Sequence, residues 1–278
     1  MPSSLVTNVN AQWLGVLKLL VEAGQPIAPR GHATREWPQV TIATRLDDPV
    51  LTIGLRKLNY RFMAAEARWI IEGRDDVDSI AAYNAKIAAF SDDGRTFYGA
   101  YGPRYRDQLP HVVQRLTEDP DSRQAGLTLW RPSPPPTKDV PCTVALFFQI
   151  RCGELNVHVF MRSSDAWLGL PYDCFNFSML GYHVLGFVNQ RHAGRYGDYR
   201  DPVRPGTLYL TMASSHLYEQ HLEPARAILT EFTDPTDERL FDHRRAPEHL
   251  ANSETDLLIR LTNIADHSPV ARWWGLPS

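Results

Sequence analysis

The 278-residue chain is 43% hydrophobic and carries a formal net charge of −3. A chain of this size buries a large core and fits one large domain or two small ones. Its charge balance excludes a general electrostatic attraction to nucleic acid or an anionic membrane, while leaving room for a local cationic pocket around one phosphate. Among the 29 basic residues only Lys18, Lys57, Lys86 and Lys138 are lysines. Arginine binds phosphate bidentately, so the bias suits anion recognition, and a GC-rich genome explains it equally well. Cys142, Cys152 and Cys174 form neither a CxxC pair nor an even framework, which fits a reduced, cytoplasmic setting. The amino terminus lacks a basic n-region and a cleavage site. No run approaches the length of a membrane span.

In chain order, residues 59–72 (NYRFMAAEARWIIE) place Phe62, Ala65, Trp69 and Ile70 at helical spacing, with Gly73 as a stop. Glu66 lies inside that apolar helix, where a carboxylate is costly unless paired or functional. Residues 131–139 (RPSPPPTKD) read as a surface connection, too short to separate domains. The segment CTVALFFQIRCGELNVHVFMRS reads as a hairpin with a Cys-Gly-Glu turn. FNFSMLGYHVLGFVNQ (175–190) is apolar on most sides and predicts a buried helix. GTLYLTMASSHLYEQH follows as a strand and EPARAILTEF as a helix. Strands and helices mix without βαβ alternation, and no G-x-G-x-x-G or Walker loop is present. The expectation is an α+β fold, a mixed sheet covered by helices, as a single domain over 1–278.

Several side chains suit chemistry. Cys142 opens a strand-like run after Pro141; it fits a small buried hydrophobe as well as a nucleophile, which needs a cationic neighbour to form thiolate. Arg162 and Ser163 suit a phosphate. Asp173, ahead of an apolar helix, suits an N-cap as well as a site. His216 and Tyr218 share one strand face, where they grip a sugar hydroxyl or simply pack.

Arg30 in PRGHATRE, Glu66 in AAEARWIIEG, Tyr101-Gly102 in FYGAYGPRYRDQ, Ser122-Arg123 in DPDSRQAG, Pro141-Cys142, RSSDAWLGLPYD and SSHLYEQH come in this order. Together they resemble the thymidylate synthase superfamily, including its pyrimidine nucleotide hydroxymethylases, over residues 30–221. The resemblance implies that Cys142 adds to C6 of a pyrimidine, so that C5 attacks the methylene of 5,10-methylenetetrahydrofolate. It implies Glu66 and Tyr101 as proton-transfer groups. Arg30, Arg162 and Ser163 would hold the 5′-phosphate, with Arg123 donated across a sheet-to-sheet homodimer, and His216 and Tyr218 the 3′-hydroxyl. Asp165, Trp69, Leu168, Gly169 and Tyr172 would line the folate site. No metal, membrane or nucleic-acid partner is implied.

The departures from the family pattern are specific. Thymidylate synthases have asparagine where this chain has Asp173. A protonated Asp173 donates to cytosine N3 and accepts from N4; an ionised one pairs with N3-protonated cytosine. Aspartate here resembles the deoxycytidylate hydroxymethylases of phages and the CMP hydroxymethylases of antibiotic biosynthesis, which implies a C5-hydroxymethyl product. Asn176, one turn on, is a candidate for sensing sugar or phosphate. Thr143 stands for a usual histidine, Gln124 for an arginine and Met161 for a glutamine. The rivals are a thymidylate synthase acting on dUMP and a non-catalytic nucleotide- or RNA-binding relative. The tail pair Trp273 and Trp274 would close over folate or pack on the core.

Overall fold

A computed structural model describes residues 6–196, 202–233 and 237; Trp273 and Trp274 lie outside them. Helix α1 (Val9–Ala23) starts where the Asn8 side chain accepts from the Ala11 N–H, and it buries Trp13, Leu17 and Leu20. Strands β1 (Gln25–Ile27) and β2 (Thr34–Arg45) follow. Helix α2 (Tyr60–Ile71) lies close to the expected limits: Asn59 caps the Phe62 N–H, and Gly73 leaves the helix at φ 77°. Next come α3 (Val77–Ala81), α4 (Tyr101–Glu118) and β3 (Gly126–Thr128).

The expected hairpin is β4 (Thr143–Arg151) and β5 (Glu154–Met161). Its turn is tighter than the sequence suggests. Cys152 (φ 53°) and Gly153 (φ 74°) form a two-residue loop with both φ positive, which matches the strand twist, and Glu154 already belongs to β5. After the short β6 (Ser164–Asp165), helix α5 runs from Leu170 to Tyr196, five residues ahead of the apolar segment that predicted it. Pro171 suits its first turn, where an N–H would have no helical acceptor. Phe175, Phe177, Val184 and Val188 are fully buried, so α5 fills the centre of the core. Strand β7 (Arg204–Tyr218) and α6 (Leu222–Glu231) complete the elements.

Among the described residues the strands form a mixed sheet in the order β1-β2-β7-β5-β4-β3, with β6 on β7. All pairs are antiparallel except β5 with β7 and β6 with β7. This is the expected α+β architecture. Along β5, Leu155, Val157, Val159 and Met161 face the helices, while Asn156, His158 and Phe160 face outward. The outer face carries Phe147 and Phe160, edge to face at 6.3 Å, and His158 stacked on Tyr209 at 4.8 Å.

Register fixes the position of the site. Thr143 pairs with Met161, so Cys142 and Arg162 are neighbours at the mouth of the hairpin, and the Arg162 N–H donates to the Cys142 carbonyl at 2.8 Å. Asp165 pairs with His216, and Thr34 with Tyr218. One end of the sheet therefore collects the cysteine, Arg162, Ser163 and the His216–Tyr218 pair.

Candidate active site

The thiol comes first. Cys142 is half-buried, and Arg162 is folded across it. The guanidinium donates from Nε to the Pro141 carbonyl (3.0 Å) and from Nη2 to the Val140 carbonyl (2.9 Å). This leaves Nη2 3.6 Å from Sγ. Burial pushes the thiol pKa up and Arg162 opposes it, while Asp173 and Asp139 add to the rise. The sequence reading required a cation beside the cysteine; the fold supplies one, and burial outweighs it.

Two buried carboxyl groups join the thiol in a chain of interactions: Asp173 acts on Cys142, and Glu66 on Asp173. Glu66 of α2 accepts from Asn176 Nδ2 at 2.7 Å. Burial pushes its pKa up to about 7, against the lowering effect of that hydrogen bond. Asp173 is raised well above the carboxylate range, by burial first and then by the charges of Glu66 and Asp165. It occupies the first turn of α5, its N–H bonded to the Gly169 carbonyl at 3.0 Å, and so is not the helix cap. The capping type of contact is made earlier: Asp165 Oδ1 accepts from the N–H groups of Trp167 (2.7 Å) and Leu168 (2.9 Å).

Tyr101, at the start of α4, accepts from the Thr143 N–H (3.3 Å) and Oγ1 (3.0 Å) and stacks on Phe177 at 6.2 Å. Burial, then Asp173 and Cys142, hold the proton on its phenol. These contacts give Thr143, a departure without a sequence rationale, a structural task.

Ser163 Oγ lies 3.2 Å from His216 Nδ1, and the His216 ring meets Tyr218 edge to face at 5.5 Å. Arg30, exposed at φ 54°, is close enough to lower the pKa values of both Cys142 and His216. Toward the expected folate side, Tyr172 accepts from the Asn59 N–H (3.1 Å) and packs on Phe62, Gly169 begins the turn into α5, and Leu168 is 51% exposed.

Two expectations need correction. Trp69 is buried away from the folate side: Nε1 donates to the Asp76 carbonyl (3.1 Å) and the indole packs on Phe97, because this face of α2 meets the loop around α3. Asn176 is only 4% exposed and its amide is bonded to Glu66, at the base end of the site. Arg123, expected to serve a partner's site and not its own, lies before β3, beside the far half of β4: the Phe148 N–H donates to the Ala125 carbonyl and Arg151 to that of Asp121. At ~3.4 Å per strand residue, that is roughly 20 Å from Cys142. No protomer brings its own Arg123 to its own cysteine.

One residue is without a sequence signal. Arg56, 8% exposed, donates from Nε (3.0 Å) and Nη2 (2.5 Å) to the Trp167 carbonyl and covers the indole at 4.8 Å. It thereby holds the turn that carries Asp165 and Leu168. Among the described residues, no group of three or more His, Cys, Asp or Glu side chains is placed to hold a metal ion. No helix there is long and apolar enough to cross a membrane.

A thiol under an arginine, two buried carboxyl groups with raised pKa values and a polar serine–histidine–tyrosine row suit nucleophilic addition with proton transfer. The chain belongs to the thymidylate synthase family, whose sequence pattern matches residues 11–259. It is 33% identical over 179 residues to a deoxyuridylate hydroxymethyltransferase of Bacillus phage SP01, covering 56% of this chain and 46% of that protein. A protein of the same name from Pseudomonas phage M6 is 33% identical over 195 residues, 66% of this chain and 52% of that one. A thymidylate synthase of Equine herpesvirus 2 (strain 86/87) is 25% identical over 266 residues, 83% and 87% of the two chains. The chain spans about half the length of the two phage relatives.

Two measurements check the electrostatics. In a Cys152→Ser background, which removes the exposed thiol, Arg162→Met moves the pH midpoint of Cys142 alkylation up by roughly 0.5–1 unit, since the cation that favours thiolate is gone. Glu66 retains its proton in the folded state between its ordinary pKa of 4.5 and about 7, so the native protein binds more protons there and loses stability as pH rises through that window. Thermal denaturation of Glu66→Gln therefore shows a Tm advantage over wild type that grows from about pH 5 to about pH 8.

Proposed function

We propose that the chain is a pyrimidine nucleotide C5 hydroxymethyltransferase that acts on CMP or dCMP with 5,10-methylenetetrahydrofolate. The observation that carries this reading is the buried carboxyl of Asp173, its pKa raised, in the first turn of α5, where the family resemblance implies the group that meets the base. Cys142 adds to C6, C5 takes the folate's methylene, Tyr101 assists proton loss at C5, and Glu66 moves protons at the ring and folate. Arg162, Ser163 and Arg30 bind the phosphate, His216 and Tyr218 the sugar, and Asp165, Leu168, Gly169 and Tyr172 the folate.

In the ground state a neutral carboxyl faces either base, because its proton can sit on either oxygen. The difference arises on thiol addition. Cytosine N3 then becomes basic and takes the Asp173 proton, leaving a carboxylate paired with two N–H donors. Uracil keeps its N3–H and offers no basic ring nitrogen to take that proton, so the ion pair does not form with it. A site built on such pairing discriminates by orders of magnitude.

A second reading has its own support. The phage relatives are named deoxyuridylate hydroxymethyltransferases, which favours the hydroxymethyl outcome but points to dUMP. Assays of CMP, dCMP and dUMP with methylenetetrahydrofolate, following product mass and dihydrofolate absorbance, separate the readings. Hydroxymethylated cytidine nucleotide without dihydrofolate is expected, and Asp173→Asn moves the kcat/KM ratio toward uracil by about 100-fold. Dihydrofolate formation with dUMP alone overturns the proposal.

The active unit in this reading is a cytoplasmic, single-domain homodimer packed through the outer sheet face. The aromatic pairs on that face support this, as does the distance of Arg123 from the cysteine of its own protomer. After subunit exchange, a mixture of the inactive variants Arg123→Ala and Cys142→Ala should regain about a quarter of the wild-type sites, one per mixed dimer.

A further inference from the structure

We propose that Asn176 positions the Glu66 carboxylate and holds, on its other amide atom, the water that adds to the exocyclic methylene. This rests on the hydroxymethyl reading above. Asn176 interrupts the apolar run of α5, between Phe175 and Phe177, both fully buried. Its Nδ2 donates to Glu66 Oε2 at 2.7 Å. Its Oδ1 is equally buried and meets no protein donor. A carbonyl oxygen held this deep accepts a hydrogen bond in nearly every folded protein, so its donor is a small molecule that enters the site.

Water fits the position. One O–H donates to Asn176 Oδ1 and the other to the carboxylate of Glu66, which leaves the oxygen lone pair free to attack. Asn176 follows Asp173 by three residues on α5, so both side chains lie on one helix face. Asp173 meets the N3–N4 edge of the base in the proposed complex. A group one turn along that face is next to C5, whose ring neighbour C4 bears N4.

The step balances. After tetrahydrofolate leaves, C5 carries an exocyclic C=CH2 and C6 carries Cys142. The water oxygen forms a bond to the CH2 carbon and gives a proton to Glu66. The C=C electron pair moves to restore the C5–C6 double bond, and the C6–S bond breaks to return thiolate. An apolar side chain at position 176 would remove the water and leave the methylene to the folate's hydride.

The test compares two readouts on the same protein: release of tritium from C5 of labelled nucleotide, which needs Cys142 addition, methylene transfer and C5 deprotonation but not the water, and formation of the hydroxymethyl product. Both are measured where Glu66 is ionised. In Asn176→Val, hydroxymethyl formation should fall at least tenfold more than tritium release, with methylated nucleotide and dihydrofolate appearing in its place. Asn176→Ser, whose hydroxyl can still bind water, should recover part of the loss. Because the amide hydrogen bond favours ionised Glu66, the acid limb of the pH profile should move up in Asn176→Val. Parallel loss of both readouts, or hydroxymethylation in Asn176→Val at the wild-type rate, overturns this assignment alone. A wild-type enzyme that yields only methylated nucleotide overturns it together with the reading it rests on.

Discussion

Strand β5 is hydrogen-bonded antiparallel to β4 and parallel to β7, and that double pairing holds the site together. Through β4 it sets Arg162 against Cys142; through β7 and the β6 continuation it sets Ser163 and Asp165 against His216. A one-residue slip on either side would turn the outward residues of β5 into the core and separate the cysteine from its arginine. The inward row of Leu155, Val157, Val159 and Met161, packed on helices, makes such a slip costly.

The second constraint is dryness. Helices α2 and α5 hold Glu66 and Asp173 away from bulk water, so burial raises the pKa of both carboxyl groups, Glu66 to about 7, and that of the thiol as well. Glu66 and Asp173 are therefore less ionised near neutrality than exposed carboxyl groups are, with Arg162 and Arg30 at the mouth of the site. In the proposed complex the phosphate meets those cations while the base meets groups able to donate protons. Burial thus supplies proton donors and acceptors near neutrality without needing unusual residue types.

Much of this was legible in the sequence where the signal is local. Helix α2, the β4–β5 hairpin and α5 follow from periodicity and apolar runs. Helix α4 is not legible in that way, because Pro103 and Pro110 interrupt its pattern. The Cys-Gly-Glu turn was placed one residue too long, since only backbone φ values show where a hairpin loop closes. Arg56 gives no signal either: its partner is a main-chain carbonyl more than a hundred residues away.

The amino-acid sequence by itself determined the class of fold, the family resemblance and the residue types available at Cys142, Glu66, Asp173 and His216, because these rest on local pattern and ordered motifs. Tertiary structure alone decided the directions of the side chains. Trp69 turns into the core, Asn176 turns to Glu66, and Arg123 stays at the far end of β4, since each is placed by strand register and helix packing between distant segments. The proton affinities of the two carboxyl groups were decided there too, for burial is a property of the folded chain and not of any short stretch of it.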